Sequence, residues 1–122
     1  MKVELLCQPA SSVAEIYLDR GETLTAEVGA MIGMSTKINV ETSTRSQGGQ
    51  GGILKGIKRM FSGENFFLNH FTSNADAQRL ILGPKIIGDI IVRELQGESL
   101  IIQGSSWLAS TGGIELDTSW QG

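Results

Sequence analysis

Few residues in this chain have the types and spacing that chemistry requires. His70 is the single histidine and Cys7 the single cysteine. A structural zinc site wants four such ligands, so no metal is expected. A Ser-His-Asp or Cys-His triad would have to use His70, and no G-x-S-x-G elbow is present to carry a nucleophile. His70 follows Asn69 in an aromatic run and reads as a hydrogen-bonded wall residue. Cys7 sits in the apolar run LLCQ and reads as a small buried hydrophobe. The carboxylates Glu22 and Glu98 fall at turns and read as turn-stabilising; Glu27 and Asp117 lie nearby. The glycine-rich run from Gly51 to Gly56 has the spacing of a phosphate loop. However, Ile57 stands where lysine is needed and no Ser or Thr follows it. No cofactor is expected, and the reading is of a non-enzyme.

The most function-like residues lie just beyond that glycine run. On a helical wheel Ile53, Leu54, Ile57, Met60 and Phe61 share one face, with Lys55, Lys58 and Arg59 opposite. Such a short basic amphipathic helix could meet an anionic membrane surface or a partner's groove. Lys55, Lys58, Arg59, Met60 and Phe61 are therefore the candidate contact residues. The simpler reading, preferred here, docks the apolar face on the protein's own sheet.

The elements around these residues read as all-β. The chain has 122 residues, 40% of them hydrophobic, with 16 glycines and only two prolines. That is one domain, residues 1–122, with enough chain to bury a core. Its net charge of −3 disfavours nucleic acid, which needs a dominant positive surface. No apolar stretch is long enough to span a bilayer as a helix. Met1-Lys2-Val3-Glu4 leads straight into a strand-like run, so no signal peptide is expected and the default location is cytoplasmic.

Strands are expected at Lys2 to Gln8, Val13 to Leu18, Thr23 to Val28, Lys37 to Thr42, Asn65 to Thr72 and Gln78 to Leu82. Further strands are expected at Ile86 to Glu94, Ser99 to Gln103, Trp107 to Ala109 and Ile114 to Asp117. Gly29-Ala30-Met31 reads as a bend, and Ser43 to Gly52 as a flexible loop. About ten short strands and one helix suggest a sandwich or a barrel.

An internal duplication organises them. The segment 21–42, GETLTAEVGAMIGMSTKINVET, aligns without a gap to 97–118, GESLIIQGSSWLASTGGIELDT. Gly21/Gly97, Glu22/Glu98, Leu24/Leu100, Ile38/Ile114 and Thr42/Thr118 are identities. Duplicated units are expected to fold alike, with Leu24 and Leu100 both buried. The second copy reads as incomplete, which would leave a sheet edge to pair. Trp107 and Trp120 near that edge would suit an interface.

Four motifs carry a resemblance. They are GILKGIKRMFSGENFFLNHFT at Gly52 to Thr72, GAM at Gly29 to Met31, GDI at Gly88 to Ile90, and WLAS at Trp107 to Ser110. Together they resemble a bacterial and mitochondrial family named in yeast for altered inheritance of mitochondria. The resemblance covers nearly the whole chain and the N-terminal half of typical members. Ile87 replaces the proline of the family's P-G-D-I, and Ser105 and Ser106 precede Trp107 where a glycine-aromatic pattern is usual. The resemblance implies a fold like the tryptophan RNA-binding attenuation protein, a β-sandwich or double-stranded β-helix. It also implies a symmetric homo-oligomer, a trimer or larger ring. It supplies no catalytic residues. Binding of a small ligand or of single-stranded RNA is the alternative that this fold analogy raises.

If the 53–61 helix docks internally, Met60→Asp will destabilise the fold by a few kcal/mol, the scale for a charge placed in apolar packing. Thermal melts read this. An unchanged melting temperature with lost sedimentation on anionic vesicles would instead assign the face to a membrane.

Overall fold

The computed structural model describes residues 1–43 and 68–114 of the chain. These form two four-stranded antiparallel sheets, arranged as a sandwich. The strands are β1 (Lys2–Leu6), β2 (Val13–Leu18), β3 (Thr23–Glu27), β4 (Met31–Met34), β5 (Ile38–Ser43), β6 (Leu68–Ser73), β7 (Gln78–Leu82) and β8 (Ala109–Thr111). One sheet has the order β1-β2-β7-β4 and the other β5-β6-β3-β8. The helix expected at 53–61 and the glycine-rich loop before it lie outside the described residues.

Period-two alternation drives this arrangement. In β2, Ala14, Ile16 and Leu18 are buried; in β7, Leu80 and Leu82; in β3, Leu24 and Ala26. With Ala30, Ile38 and Phe71 they form one apolar cluster between the sheets. Phe71 is the largest fully buried side chain. The register places these residues level: Ile16 lies opposite Leu80, and Leu24 opposite Phe71.

The chain crosses between the sheets at tight corners. After β2 it turns at Gly21, whose φ of 85° lies in the left-handed region that favours glycine. The Gly21 N–H donates to the Ser73 carbonyl at 2.8 Å, and the Ser73 N–H donates to Glu22 at 3.0 Å. Asp19 accepts from the Ala77 N–H at 3.0 Å, and Asp76 accepts from the Arg20 N–H at 3.1 Å. The β2–β3 corner is thus clasped by the β6–β7 corner. Gly29, with φ 94°, makes the expected bend before β4.

Three expectations are corrected. First, β4 is a strand where only a bend was expected. Met31–Met34 pairs with β7 across a register shift, which admits the glycine at position 33. Second, Cys7 is exposed, not buried. It ends β1 with φ 61°, a turn conformation that takes the thiol out of the alternation. Third, the two copies of the repeat do not fold alike. Residues 21–42 carry β3, β4 and most of β5, whereas within 97–114 only β8 is a strand. Leu24 is 4% exposed and Leu100 48%. Leu24 has β6 and β8 on either side of its strand, while no described strand flanks Leu100.

Phe71→Ala is expected to cost about 3–5 kcal/mol in urea unfolding, because it empties the centre of the sandwich. Gly21→Ala is expected to cost about 1 kcal/mol with the core untouched, from its backbone conformation alone.

Candidate functional site

Two polar groupings could carry chemistry; the first is internally satisfied, and the second leaves one buried ring nitrogen without a partner among the described residues. On the outer face of the first sheet, Tyr17 donates its hydroxyl hydrogen to Glu15. Arg79 reaches the other Glu15 oxygen at 2.9 Å. Lys2 pairs with Glu4 at 3.0 Å and sits 5.8 Å from the centre of the Tyr17 ring. The alternation that buries Ala14, Ile16 and Leu18 sends Glu15 and Tyr17 to this face. Hydrogen bonds from Tyr17 and Arg79 hold the Glu15 carboxyl below its usual range. Beside them lies a shallow open depression lined by Gly33, Met34, Ser35, Arg79 and Ile81. Its polar groups are already engaged. Ser35 accepts from the Arg79 backbone N–H at 2.9 Å, and the Arg79 guanidinium is matched to Glu15.

The second grouping centres on His70 in β6, opposite Thr25 on β3 and Glu41 on β5. Its Nδ1 lies 3.1 Å from the Thr25 hydroxyl. Its Nε2 is buried without a partner among the described residues. Burial lowers the His70 pKa, and the Glu41 charge pulls it back only in part. This is the hydrogen-bonded wall residue that the sequence suggests. No group of three or more metal-ligating side chains occurs among the described residues.

The most distinctive surface is apolar and lies elsewhere, in residues 86–102. Ile86 is 85% exposed, Ile91 77% and Ile101 70%; Ile87, Val92, Leu100 and Ile102 are also exposed. Scattered single apolar residues on a surface need no explanation, but such a concentration in one segment does. The strands expected at Ile86 to Glu94 and Ser99 to Gln103 do not form. A strand exists only with a neighbour to hydrogen-bond, and β7, immediately before this segment, has β2 on one edge and β4 on the other.

The segment is nevertheless pinned. The Ser12 N–H donates to the Gly88 carbonyl at 2.9 Å. The Ser12 hydroxyl donates to Asp89 at 2.6 Å, and Gln8 donates to the same oxygen at 3.2 Å and to the Ile90 carbonyl at 3.4 Å. These bonds lower the Asp89 pKa, Ser12 first. Farther along, Gly97 turns with φ 93°, and Glu98 accepts from the Gln96 N–H at 2.6 Å. The first copy also has a positive-φ glycine and a turn-capping glutamate, but there Glu22 accepts from the Asp19 N–H, three residues back, at 2.7 Å. Both carboxylates stabilise turns, as the sequence indicates. At the far end Trp107 is buried within the chain, and the Leu108 carbonyl accepts from the Glu27 N–H at 3.1 Å.

A family model described as mitochondrial biogenesis AIM24 matches residues 3–122. The chain belongs to the AIM24 family. No curated protein and no solved structure matches it. The AIM24 match agrees with the resemblance carried by the four sequence motifs. Of these motifs, Gly88-Asp89-Ile90 acquires a visible role, since Asp89 and the Gly88 and Ile90 backbone pin the exposed segment.

The residues singled out from sequence, Lys55, Lys58, Arg59, Met60 and Phe61, lie outside the described residues. The surface at 86–102 was visible in the sequence only as apolar runs, which read as core strands. The turn dipeptide Gln96-Gly97 and the repeat gave its outline; nothing local signalled that it lacks a sheet partner.

The titrating groups set an expectation for pH. A histidine whose pKa falls on folding favours the native state while neutral, so its contribution is full above the ordinary value of 6.5. It is lost as pH falls from there toward the folded pKa. Glu15 behaves likewise at lower pH, its stabilisation fading below the ordinary 4.5. Urea midpoints should therefore fall in two acid stages. His70→Gln should remove the upper stage and leave the lower one.

Proposed function

We propose that this chain is a non-enzymatic, all-β interaction module that self-associates into a closed, symmetric homo-oligomer. The observation that carries this reading is the exposed apolar segment 86–102, pinned at Gly88–Ile90 and presenting Ile91, Val92 and Ile101 to solvent. A cluster of that kind, held in place, is what an interface core requires. Polar alternatives fit it less well. Arg93 is its one cation and stands among Asp89, Glu94 and Glu98. RNA would want several cations with stacking aromatics. The family's description as a mitochondrial biogenesis group supports no particular reaction. No described helix is long and apolar enough to cross a membrane. The cytoplasmic location read from the sequence stays part of the proposal.

Light scattering across a concentration series tests self-association. A multimeric mass at micromolar protein is expected, with Ile101→Asp weakening assembly at least tenfold, about 1.4 kcal/mol. A monomer mass at all concentrations would refute the reading.

A further inference from the structure

The exposed segment carries information about how a second copy would meet it. The carbonyls of Gly88 and Ile90 both face the chain's own 7–12 loop, accepting from Ser12 and Gln8. In an extended chain alternate residues point their backbone groups to opposite edges. Continued through residues 89–93, that alternation would turn the backbone groups of Asp89, Ile91 and Arg93 to the outer edge. Neither Ile91 nor Arg93 has a backbone partner among the described residues.

That edge is self-complementary. If it pairs antiparallel with its own copy about Ile91, Ile91 faces Ile91, Ile90 faces Val92, and Asp89 faces Arg93. Two opposite-charge pairs flank an apolar centre. Shifting the register by one position opposes Ile90 to Arg93 and Asp89 to Glu94, losing both charge pairs. Asp89 uses one carboxylate oxygen for Ser12, Gln8 and the Ile90 N–H, and these contacts involve Oδ1 alone. Its Oδ2 is left for Arg93 of a second copy.

We infer that residues 89–93 form an isologous two-fold interface, in which the segment adds a strand to its counterpart in a second copy of this chain. The inference rests on the self-association proposed above and names the surface and its symmetry. Isologous contacts need only one self-matching patch, and pairing through open edges is a recurrent mode of recognition.

Cysteine cross-linking reads the register directly. Hydrogen-bonded partners in an antiparallel pair have Cα atoms about 5.5 Å apart, inside the disulfide range. Residues one step off the axis are about 8 Å from their own copies, beyond it. In a Cys7→Ser background, Ile91→Cys is expected to oxidise to a covalent dimer, and Val92→Cys to remain largely uncross-linked. Arg93→Asp should weaken the dimer at least tenfold, with its circular dichroism and melt showing a folded chain. A multimer, trimeric or otherwise, in which Ile91→Cys does not cross-link would overturn the two-fold interface while leaving self-association standing. Equal cross-linking at 91 and 92 would overturn the register. A monomer would overturn both readings.

Discussion

A strand has two edges, and both edges of β7 are occupied. β2 lies along one and β4 along the other, so β7 is an inner strand of the first sheet and buries Leu80 and Leu82. Most of the remaining structure follows. The β6–β7 corner can clasp Gly21 and Glu22 because β7 is fixed beside β2. The chain that leaves β7 cannot pair back onto β7 itself, and it forms no further strand until β8 joins the second sheet. The exposed isoleucines are a consequence of that occupancy, not of any polarity in their own sequence.

The sequence is legible where alternation and partner agree. Val13–Leu18 and Gln78–Leu82 fold within the bounds that their period of two suggests, because each buries one face against the other sheet. Gly21 and Gly29 are legible as turns because their backbones require positive φ. β4 was hidden by its glycines, at positions 29 and 33, and by methionines that signal no period. Residues 86–103 were misread for a different reason. Ile86, Ile91, Val92, Ile101 and their neighbours have high strand propensity, and propensity measures fitness for a half-buried pleated surface without saying whether one is available. The repeat is legible as a corner, since Gly97, like Gly21, has a positive φ and Glu98, like Glu22, accepts from a backbone N–H of the turn. It was misleading as an environment, since burial is decided by neighbours that the alignment does not contain.

The candidate surface shows the same division between local and distant causes. Asp89 is readable as a polar residue beside a glycine, and its partners Ser12 and Gln8 are not, because some eighty positions separate them. The Glu15, Tyr17 and Arg79 grouping has a similar origin. The period of β2 places Glu15 on the outer face, but only the β2–β7 register brings Arg79 to it. Its carboxylate keeps its charge there because a hydroxyl and a guanidinium replace the water that burial removes.

The pairing of β3 with β8 has a consequence for how the molecule is made. Leu24 lies opposite Phe71 on one side and Thr111 on the other. During synthesis from the N-terminus, β3 leaves the ribosome long before either neighbour exists. Its first edge waits for β6, and its second waits for β8, at Ala109–Thr111. Throughout that interval a strand with one apolar face has an unpaired edge of amide and carbonyl groups, the form most open to wrong pairing. The second sheet therefore closes last at its oldest strand, so the nascent chain must keep β3 out of contact with others until β8 has emerged.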